Sequence, residues 1–430
     1  MLGLDEKVKE AYAFICHNYV QDAGDEIILI GFSRGAFIVR CVADLITKVG
    51  LLEKVGLFYL DEVYMRWRDH GARLAKFNTP ETYCERNNIT LLKVRIKVCA
   101  VWDTVSSIGI PWPRFFGLVR PGGPNFVHSD LCDGIEHAIQ ALSLHEHRYH
   151  FHPLVWRRPP GATHPPISKL EQCWFQGYHA DIGGGNECES LAHFALVWVI
   201  AKLENSIGFD YDNFWKPEPR LKGWVLNSPD PLVQNPVTAF YRLGGFRERK
   251  PGAQFWTALG LEEIAPQDLQ RHTDKSVLNE KMHSTVRFLE WLRTSDDSPL
   301  DPKLVDRKLP PCPLLRNVQP MLASNPTSQI GTLTPDDQEP TVWFWELPFS
   351  GPLSVLRRVW RNGLGFLTWR SSPPATYRLN EEKMSDREKE LLRRWVRQDH
   401  MFILQKSVMG ADRPNTLIPD LESWLNREDN

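Results

Sequence analysis

The chain has 430 residues, of which 42% are hydrophobic and 24% are charged, so a large folded core is expected. Its 51 Lys and Arg residues nearly balance its 53 Asp and Glu residues, which argues against a nucleic-acid-binding protein. The eight cysteines are scattered and form no CxxC pair, a distribution that favours reduced thiols and predicts a cytoplasmic protein.

The first strong structural signal lies in the first fifty residues. Apolar side chains at helical spacing predict an amphipathic helix over residues 3–20, and the apolar run 27–30 predicts a buried strand. The sequence GFSRG at 31–35 follows, and a second helical pattern begins at Ala36. A G-x-S-x-G turn between strand and helix is the nucleophile elbow of α/β-hydrolases, which holds its serine in strained backbone. The pattern predicts that Ser33 is a nucleophile, and the alternative is a structural turn that happens to contain a serine. The tight turn brings the helix against the strand, so a Cβ at residue 31 or 35 is expected to clash.

Two more strands are predicted to end in polar residues. Residues 94–102 predict a buried strand that ends at Asp103, and residues 171–176 predict a strand that runs towards His179. Between them, apolar residues recur every three or four positions over 133–144 and predict a helix. The segments rich in Pro and Gly predict loops, at 110–127 and 158–166.

An apolar helix is predicted over residues 191–203, and its composition predicts burial on the sheet. The stretch contains His193 and Lys202 and is too short to cross a bilayer. The N-terminus is charged from Asp5 onward and has no signal-peptide core. The sequence therefore predicts no transmembrane segment and leaves peripheral contact with a membrane open.

The composition changes near residue 212, where prolines become dense and long periodic runs stop. We therefore predict an α/β-hydrolase-like catalytic domain over 1–215 and an extension or cap over 216–430. Within the extension, periodic segments predict helices over 280–293 and 386–397. The segment 308–342 is rich in Pro, Ser and Thr and predicts a mobile loop.

Three polar residues follow the three predicted strands in the chain order that α/β-hydrolases use: Ser33, Asp103 and His179. The carboxyl ends of parallel strands meet at one edge of a sheet, so these side chains are expected to converge. Ser33 would attack an acyl carbonyl, His179 would move its proton, and Asp103 would orient the imidazole. The backbone N–H of Arg34 would supply half of an oxyanion hole. This chemistry requires no metal or cofactor.

Other interpretations of these residues stay open. Asp103 could instead cap the turn that follows it. Asp181 could replace Asp103 as the acid, or it could bind the backbone of the glycine turn at 183–185, which is the role we favour. With His179, these two carboxylates also form a conceivable metal-binding set, and the glycines at 183–185 could cradle a phosphate. The sequence HEHR at 145–148 is expected to end the predicted helix, where basic residues are common.

Three motifs in this chain together resemble a known family: GFSRGA at 31–36, VWDTV at 101–105 and WFQGYHADIGGG at 174–185. They resemble the uncharacterised α/β-hydrolase domain that many fungal proteins share with the type VI secretion lipase effectors. The resemblance covers residues 3–290. It implies a Ser-Asp-His esterase or phospholipase, with the roles carried by Ser33, Asp103 and His179.

Members of that family begin with a strand that ends in Asp-Gly-Thr, whereas only residues 1–26 precede the elbow strand here. The sequence therefore predicts a doubly wound, mostly parallel sheet that is truncated on one side and lacks one oxyanion donor. We weigh three explanations for this gap: a truncated gene model, a second chain or an oligomer that covers the sheet edge, and a degenerate copy of the domain. The predicted function is a serine hydrolase of the esterase or lipase type that acts on a carboxylic ester or lipid. The alternative is an inactive, hydrolase-like interaction module.

Overall fold

The computed structural model of the chain describes residues 2–69, 79–105, 130–158, 169–186, 189–211, 233, 235–236, 245–249, 251–252, 279–294, 315, 321–322, 343–348, 376–394 and 418–427. The strands in these ranges are β1 (Ile27–Phe32), β2 (Leu51–Leu52), β3 (Leu91–Leu92), β4 (Ile96–Trp102), β5 (Ile135–Ser143), β6 (Lys169–Phe175), β7 (Glu280–His283), β8 (Met321–Leu322), β9 (Trp343–Pro348) and β10 (Thr376–Glu382). The α-helices are α1 (Leu2–Asn18), α2 (Arg34–Lys48), α3 (Leu60–Arg68), α4 (Pro80–Arg86), α5 (His179–Gly183), α6 (Ser190–Leu203), α7 (Ser284–Thr294), α8 (386–394) and α9 (Ile418–Arg427).

One mixed sheet dominates the described structure, with the strand order β1-β4-β5-β6-β7-β10-β9-β8. Neighbouring strands from β1 to β10 are parallel, and β9 and β8 complete the sheet as antiparallel strands. Strands β2 and β3 form a separate antiparallel pair. A mostly parallel sheet with flanking helices is an α/β fold, so the predicted fold class is confirmed.

Successive residues of β4 enter two different cores, because side chains alternate between the two faces of a sheet. Val98 and Ala100 pack in the core that includes α6 and α7. Cys99 and Val101 pack in the core that includes α1 and α2. All four side chains are fully buried. Both faces of the strand are covered, which explains why its sequence is an almost continuous apolar run.

Strand β5 replaces the helix that was predicted over 133–144, so that prediction is wrong. β5 pairs in parallel with β4 on one side and with β6 on the other. Its residues from Ala138 to Ser143 are all buried, as expected for a strand with both faces covered. Within such an apolar run, a spacing of three or four residues cannot separate a buried strand from a helix.

A helix was expected over residues 280–293, and this prediction is wrong for the first four residues. Residues 280–283 form β7, which pairs in parallel with β6, and the helix α7 begins only at Ser284. The helix predicted over 386–397 is present as α8 up to residue 394, and residues 395–397 lie outside the described residues. The predicted loops lie wholly or mostly outside the described residues, at 110–127, 158–166 and 308–342.

The sheet and one core join residues from both sides of position 215. Gln172 of β6 is paired with Glu280 of β7. Leu391 and Leu421 share a hydrophobic core with residues of α6. The division into 1–215 and 216–430 stays a prediction, and these contacts cross it.

Strand β1 lies at one edge of the sheet. Within the described residues it pairs with β4 and with no other strand. The side chain of Ile30 in this strand is 49% exposed. The strand that leads into the elbow therefore has an open edge in the described part of the chain.

No helix in the described ranges combines the length and the apolar character that a membrane span requires. Six cysteines lie in the described residues, and all six are free thiols. Five of these are buried and Cys132 is half-buried.

Candidate active site

The turn from β1 to α2 places Ser33 in strained backbone. Ser33 has φ 59° and ψ −121°, and it is the residue immediately before α2. Its N–H donates to the carbonyl of Trp102 at 3.0 Å, and its carbonyl accepts the N–H of Phe37 at 3.2 Å. A positive φ is costly for a residue with a Cβ and persists where the surroundings enforce it, as at a nucleophile elbow. The side chain is half-buried.

The two glycines of the GFSRG turn are not equally constrained. A Cβ at Gly31 would lie 2.7 Å from the carbonyl oxygen of Gly35 and 2.8 Å from the Cα of Ala36. Both are backbone atoms that cannot move aside cheaply, so the helix can approach the strand only if residue 31 is glycine. A Cβ at Gly35 would meet no atom within 4 Å outside the local helix backbone. The expected clash is therefore confirmed for Gly31 and wrong for Gly35.

The structure brings Ser33, His179 and Asp103 into one hydrogen-bonded chain. His179 Nε2 lies 2.7 Å from Ser33 Oγ, and His179 Nδ1 lies 2.5 Å from Asp103 Oδ2. Ser33 follows β1, Asp103 follows β4, and His179 begins α5 shortly after β6. These strands are parallel, so their carboxyl ends meet at one edge of the sheet. The three residue types in this order form an arrangement able to activate a hydroxyl.

Two aromatic rings fix the imidazole of His179. The ring centroid of Phe32 lies 4.7 Å from that of His179, and the ring of Phe151 meets it edge-on at 5.0 Å. Gly183 makes room for Phe32, because a Cβ there would overlap the phenyl ring. With Asp103 ionised, Nδ1 carries the proton and Nε2 is left to accept the Ser33 hydroxyl. The orientation of the imidazole between Asp103 and Ser33 is therefore built into the fold.

Asp103 is completely buried and receives several donors. The N–H of Ser143 donates to Oδ1 at 3.1 Å, and the Ser143 hydroxyl lies 3.3 Å from Oδ2. Burial by itself would raise the pKa of Asp103, but the positive charge of Arg249 and the hydrogen bond from His179 outweigh it. The pKa of Asp103 is therefore held well below its usual range. The carboxylate is ionised at any pH at which a histidine can act as a base.

Arg249 is a site residue that the sequence did not predict. Its Nη1 donates to Asp103 Oδ1 at 2.5 Å, and its Nη2 donates to Oδ2 at 2.8 Å. The same two nitrogens also donate to the carbonyls of Ser143 at 2.9 Å and Phe151 at 2.6 Å. Only 2% of Arg249 is exposed. In the sequence it stands in FRERK at 246–250, a charged run that is typical of an exposed loop and carries no sign of a buried ion pair.

Arg34 is the first residue of α2, so its N–H lies at the amino end of the helix directly after Ser33. Such an N–H is well placed to stabilise a developing oxyanion. In α/β-hydrolases a second donor comes from the loop after a neighbouring strand. The described residues contain no strand on the outer side of β1.

Asp181 stabilises the turn that carries His179. Its Oδ2 accepts the N–H of Tyr178 at 2.8 Å, and its Oδ1 accepts from the side-chain nitrogen of Asn186 at 2.6 Å. The first contact caps the amino end of α5. The imidazole of His179 is bonded to Asp103 instead, so this geometry favours the structural role for Asp181. Among the described residues, no group of three or more His, Cys, Asp or Glu side chains is arranged to hold a metal ion.

The segment 145–148 follows a strand and not a helix, which corrects the role expected for it. Gly177 N–H donates to Nδ1 of His145 at 2.9 Å. The Glu146 carboxylate accepts two bonds from the Arg148 guanidinium, at 2.9 Å and 2.7 Å, and lies 3.5 Å from the N–H of His179. Burial works against ionisation of Glu146, but Arg148 and Arg249 lower its pKa. These contacts join the end of β5 to the segment that carries the imidazole.

The comparisons with known proteins agree with the motifs. The family model described as "T6SS, Phospholipase effector Tle1-like, catalytic domain" matches residues 1–202. A curated relative, the uncharacterized protein YEL023C of Saccharomyces cerevisiae, is 31% identical over 178 residues, which are 40% of this chain and 24% of the relative. The chain thus spans about a quarter of that relative's length. No solved structure matches. Over its first 202 residues, the chain is therefore similar to the catalytic domain of Tle1-like phospholipase effectors.

Proposed function

We propose that this chain is a serine hydrolase of the lipase or phospholipase type, which cleaves a carboxylic ester through an acyl-enzyme on Ser33. The observation that carries the proposal is the hydrogen-bonded chain from Ser33 Oγ through His179 to Asp103, with distances of 2.7 Å and 2.5 Å. These three residues lie inside the range that matches the phospholipase catalytic domain.

The reaction follows from the donors and acceptors at the site. His179 Nε2 takes the Ser33 proton as Oγ forms a bond to the ester carbonyl carbon, and the N–H of Arg34 stabilises the oxyanion. When the carbon–oxygen bond to the alcohol breaks, Nε2–H protonates the leaving oxygen. Water then gives a proton to His179 as its oxygen attacks the acyl carbon. When the bond from that carbon to Ser33 Oγ breaks, His179 returns the proton to Oγ, the acid is released and the Ser33 hydroxyl is restored. Asp103 stays ionised throughout and stabilises the imidazolium.

A lipid is the proposed substrate class, because the matching family model describes phospholipase effectors. Peripheral contact with a membrane is part of this proposal. The proposed location is the cytoplasm, and this part of the proposal rests on the scattered cysteines of the sequence.

A fluorophosphonate probe tests the proposed nucleophile, because it forms a covalent bond to an activated serine. We expect the full chain to be labelled and the Ser33→Ala variant to remain unlabelled. Turnover of a p-nitrophenyl ester and of a phospholipid should fall by about 10⁴-fold or more in the same variant. Equal labelling of the wild-type chain and the Ser33→Ala variant would contradict the proposal.

The edge of β1, which is unpaired within the described residues, favours a second candidate, an inactive hydrolase-like module. Loss of one oxyanion donor costs about 10² to 10³ in rate, and the described sheet has no strand that would lead to the second donor. An inactive module predicts that neither the probe nor an ester substrate reacts at Ser33. Slow but Ser33-dependent turnover would instead identify an enzyme with a weakened oxyanion hole.

A further inference from the structure

We infer that Arg249 is a positioning residue for the proposed reaction: it fixes the carboxylate that orients His179, and its charge compensates that carboxylate in the interior of the fold. This inference rests on the proposed function, because it concerns the base of the same site. It assigns a role in the site to a residue outside the range 1–202 that matches the phospholipase domain.

Arg249 and Asp103 form a bidentate ion pair. The two terminal nitrogens of Arg249 bind the two oxygens of Asp103, at 2.5 Å and 2.8 Å. Such a planar pair resists rotation of the carboxylate, which a single point contact does not. The guanidinium is itself held by the carbonyls of Ser143 and Phe151. Because Phe151 also contacts the imidazole edge-on, one buried cluster defines both partners of the hydrogen bond between Asp103 and His179.

The charge has a second effect. Burial works against the ionised form of Asp103, and the Arg249 cation is the largest of the influences that outweigh burial and hold the pKa of Asp103 low. The ionised carboxylate is needed to orient the imidazole and to stabilise the imidazolium that forms during the reaction. Without the Arg249 cation, the pKa of Asp103 would rise and the carboxylate would become protonated at a higher pH.

The other charged groups around the pair are engaged differently. The pKa of His152 is lowered to about 4, by burial first and then by Arg247 and Arg249, so this residue is neutral over the useful pH range. The Glu146 carboxylate is paired with Arg148, and its pKa is lowered. Further charged groups lie beside the neighbours of the pair: Asp181 accepts the N–H of Tyr178, Arg148 donates to Glu146, and Arg247 acts on His152. Of these groups, only Arg249 has a described hydrogen bond to the Asp103 carboxylate.

The test compares two variants of the full chain. Arg249→Met removes the charge and keeps much of the volume, whereas Arg249→Lys keeps the charge but cannot bind both carboxylate oxygens in one plane. The readouts are the rate of Ser33 labelling by a fluorophosphonate and kcat/KM for p-nitrophenyl butyrate, from about pH 5 to about pH 9. Arg287→Met is a matched control, because Arg287 makes a two-point pair with Glu381 away from the site.

We expect Arg249→Met to move the acid limb of both profiles to higher pH, because the buried Asp103 carboxylate loses the cation that holds its pKa low, and to lower the plateau about 10- to 100-fold. Arg249→Lys should keep the acid limb near its wild-type position and lower the plateau. Arg287→Met should leave the position of the acid limb unchanged. A purely structural role predicts instead that both Arg249 variants lose activity without a shift in pH dependence.

Three outcomes would overturn the inference: a folded Arg249→Met variant with the wild-type acid limb, an Arg249→Lys variant with the wild-type plateau, or the same shift in Arg287→Met. If Arg249→Met does not fold, as judged by circular dichroism, the plateau of Arg249→Lys still tests the inference. A wild-type plateau in that variant would overturn it. Failure of the proposed function is recognised separately, because the wild-type chain would then show no labelling that depends on Ser33.

Discussion

Gly31 and Gly35 flank the same serine but have different surroundings. A Cβ at Gly31 would press on backbone atoms 2.7 Å and 2.8 Å away, whereas a Cβ at Gly35 would meet open space. We expect Gly31→Ala to lower the free energy of unfolding by about 1 to 3 kcal/mol. Gly35→Ala should be neutral or stabilising by up to about 1 kcal/mol, because alanine favours the helix that residue 35 has already entered.

Urea unfolding of the two full-length variants, followed by circular dichroism, measures this difference. Each glycine variant is the control for the other, since both add one methyl group two positions from Ser33. Equal destabilisation by the two substitutions would contradict the prediction.

Single residues also mark the limit of what the sequence could predict about the site. Ser33, Asp103 and His179 could be found because each follows an apolar strand, and strand ends are visible in a single sequence. Arg249 could not be found, because it lies in an irregular segment and its burial depends on partners far away in the chain. Its neighbours in the sequence are charged, so local composition indicates exposure while the tertiary structure buries it.

At the scale of elements, the short helix α5 depends on its cap. The Asp181 carboxylate accepts the N–H of Tyr178 and a bond from Asn186, and α5 begins with His179. We expect Asp181→Ala to cost about 1 kcal/mol of stability and to lower turnover about 10-fold, because the imidazole loses part of its support. Asp181→Asn should be close to wild type, because its amide oxygen can still accept the Tyr178 N–H and the amide of Asn186 can rotate.

Asp103→Asn is the matched control for this prediction, and its turnover should fall about 10⁴-fold. Ester turnover and thermal unfolding of the three variants provide the measurement. A loss of about 10⁴-fold in Asp181→Asn would show that Asp181, and not Asp103, acts as the acid of the site.

Strand β5 shows why the elements could be predicted only in part. Its apolar residues fit a helical spacing, yet it lies in the middle of the sheet with neighbours on both sides. A strand that is buried on both faces loses the alternation by which strands are recognised. Strands β1, β4 and β6 were recognised because they are short apolar runs next to turns or polar residues. The start of β7 was missed because four residues are too few to show a period.

At the scale of the whole molecule, Glu280 couples stability to pH. Its Oε2 accepts the indole N–H of Trp174 at 3.0 Å and the N–H of Gly252 at 2.8 Å, so it joins β6, β7 and the segment near Arg249. Burial raises the pKa of Glu280 to about 7, above the value of 4.5 expected in an unfolded chain. Between these two values the folded chain holds a proton that the unfolded chain releases. The contribution of protonated Glu280 to the free energy of unfolding is therefore complete below about pH 4.5 and is lost as the pH rises through about 7.

We expect Glu280→Gln to remove this dependence, because the amide oxygen still accepts both bonds and carries no charge. Relative to wild type, the variant should gain about 2 to 3 kcal/mol of unfolding free energy between about pH 5 and about pH 8. Urea titrations at the two pH values measure the gain. Glu85→Gln, at an exposed position, controls for the loss of one negative charge. The same change in stability at both pH values would contradict the prediction.

The order of the site residues along the chain has a consequence for synthesis on the ribosome. Ser33 and His179 are separated by 146 positions, and the same number separates Asp103 from Arg249. A growing chain therefore emerges with its hydroxyl first and its imidazole much later, and the cation that neutralises the buried carboxylate comes last of all. Contacts of such long range form late because the intervening loop must be closed first. The proposed site around Ser33 is consequently complete only after the translated chain has passed residue 249.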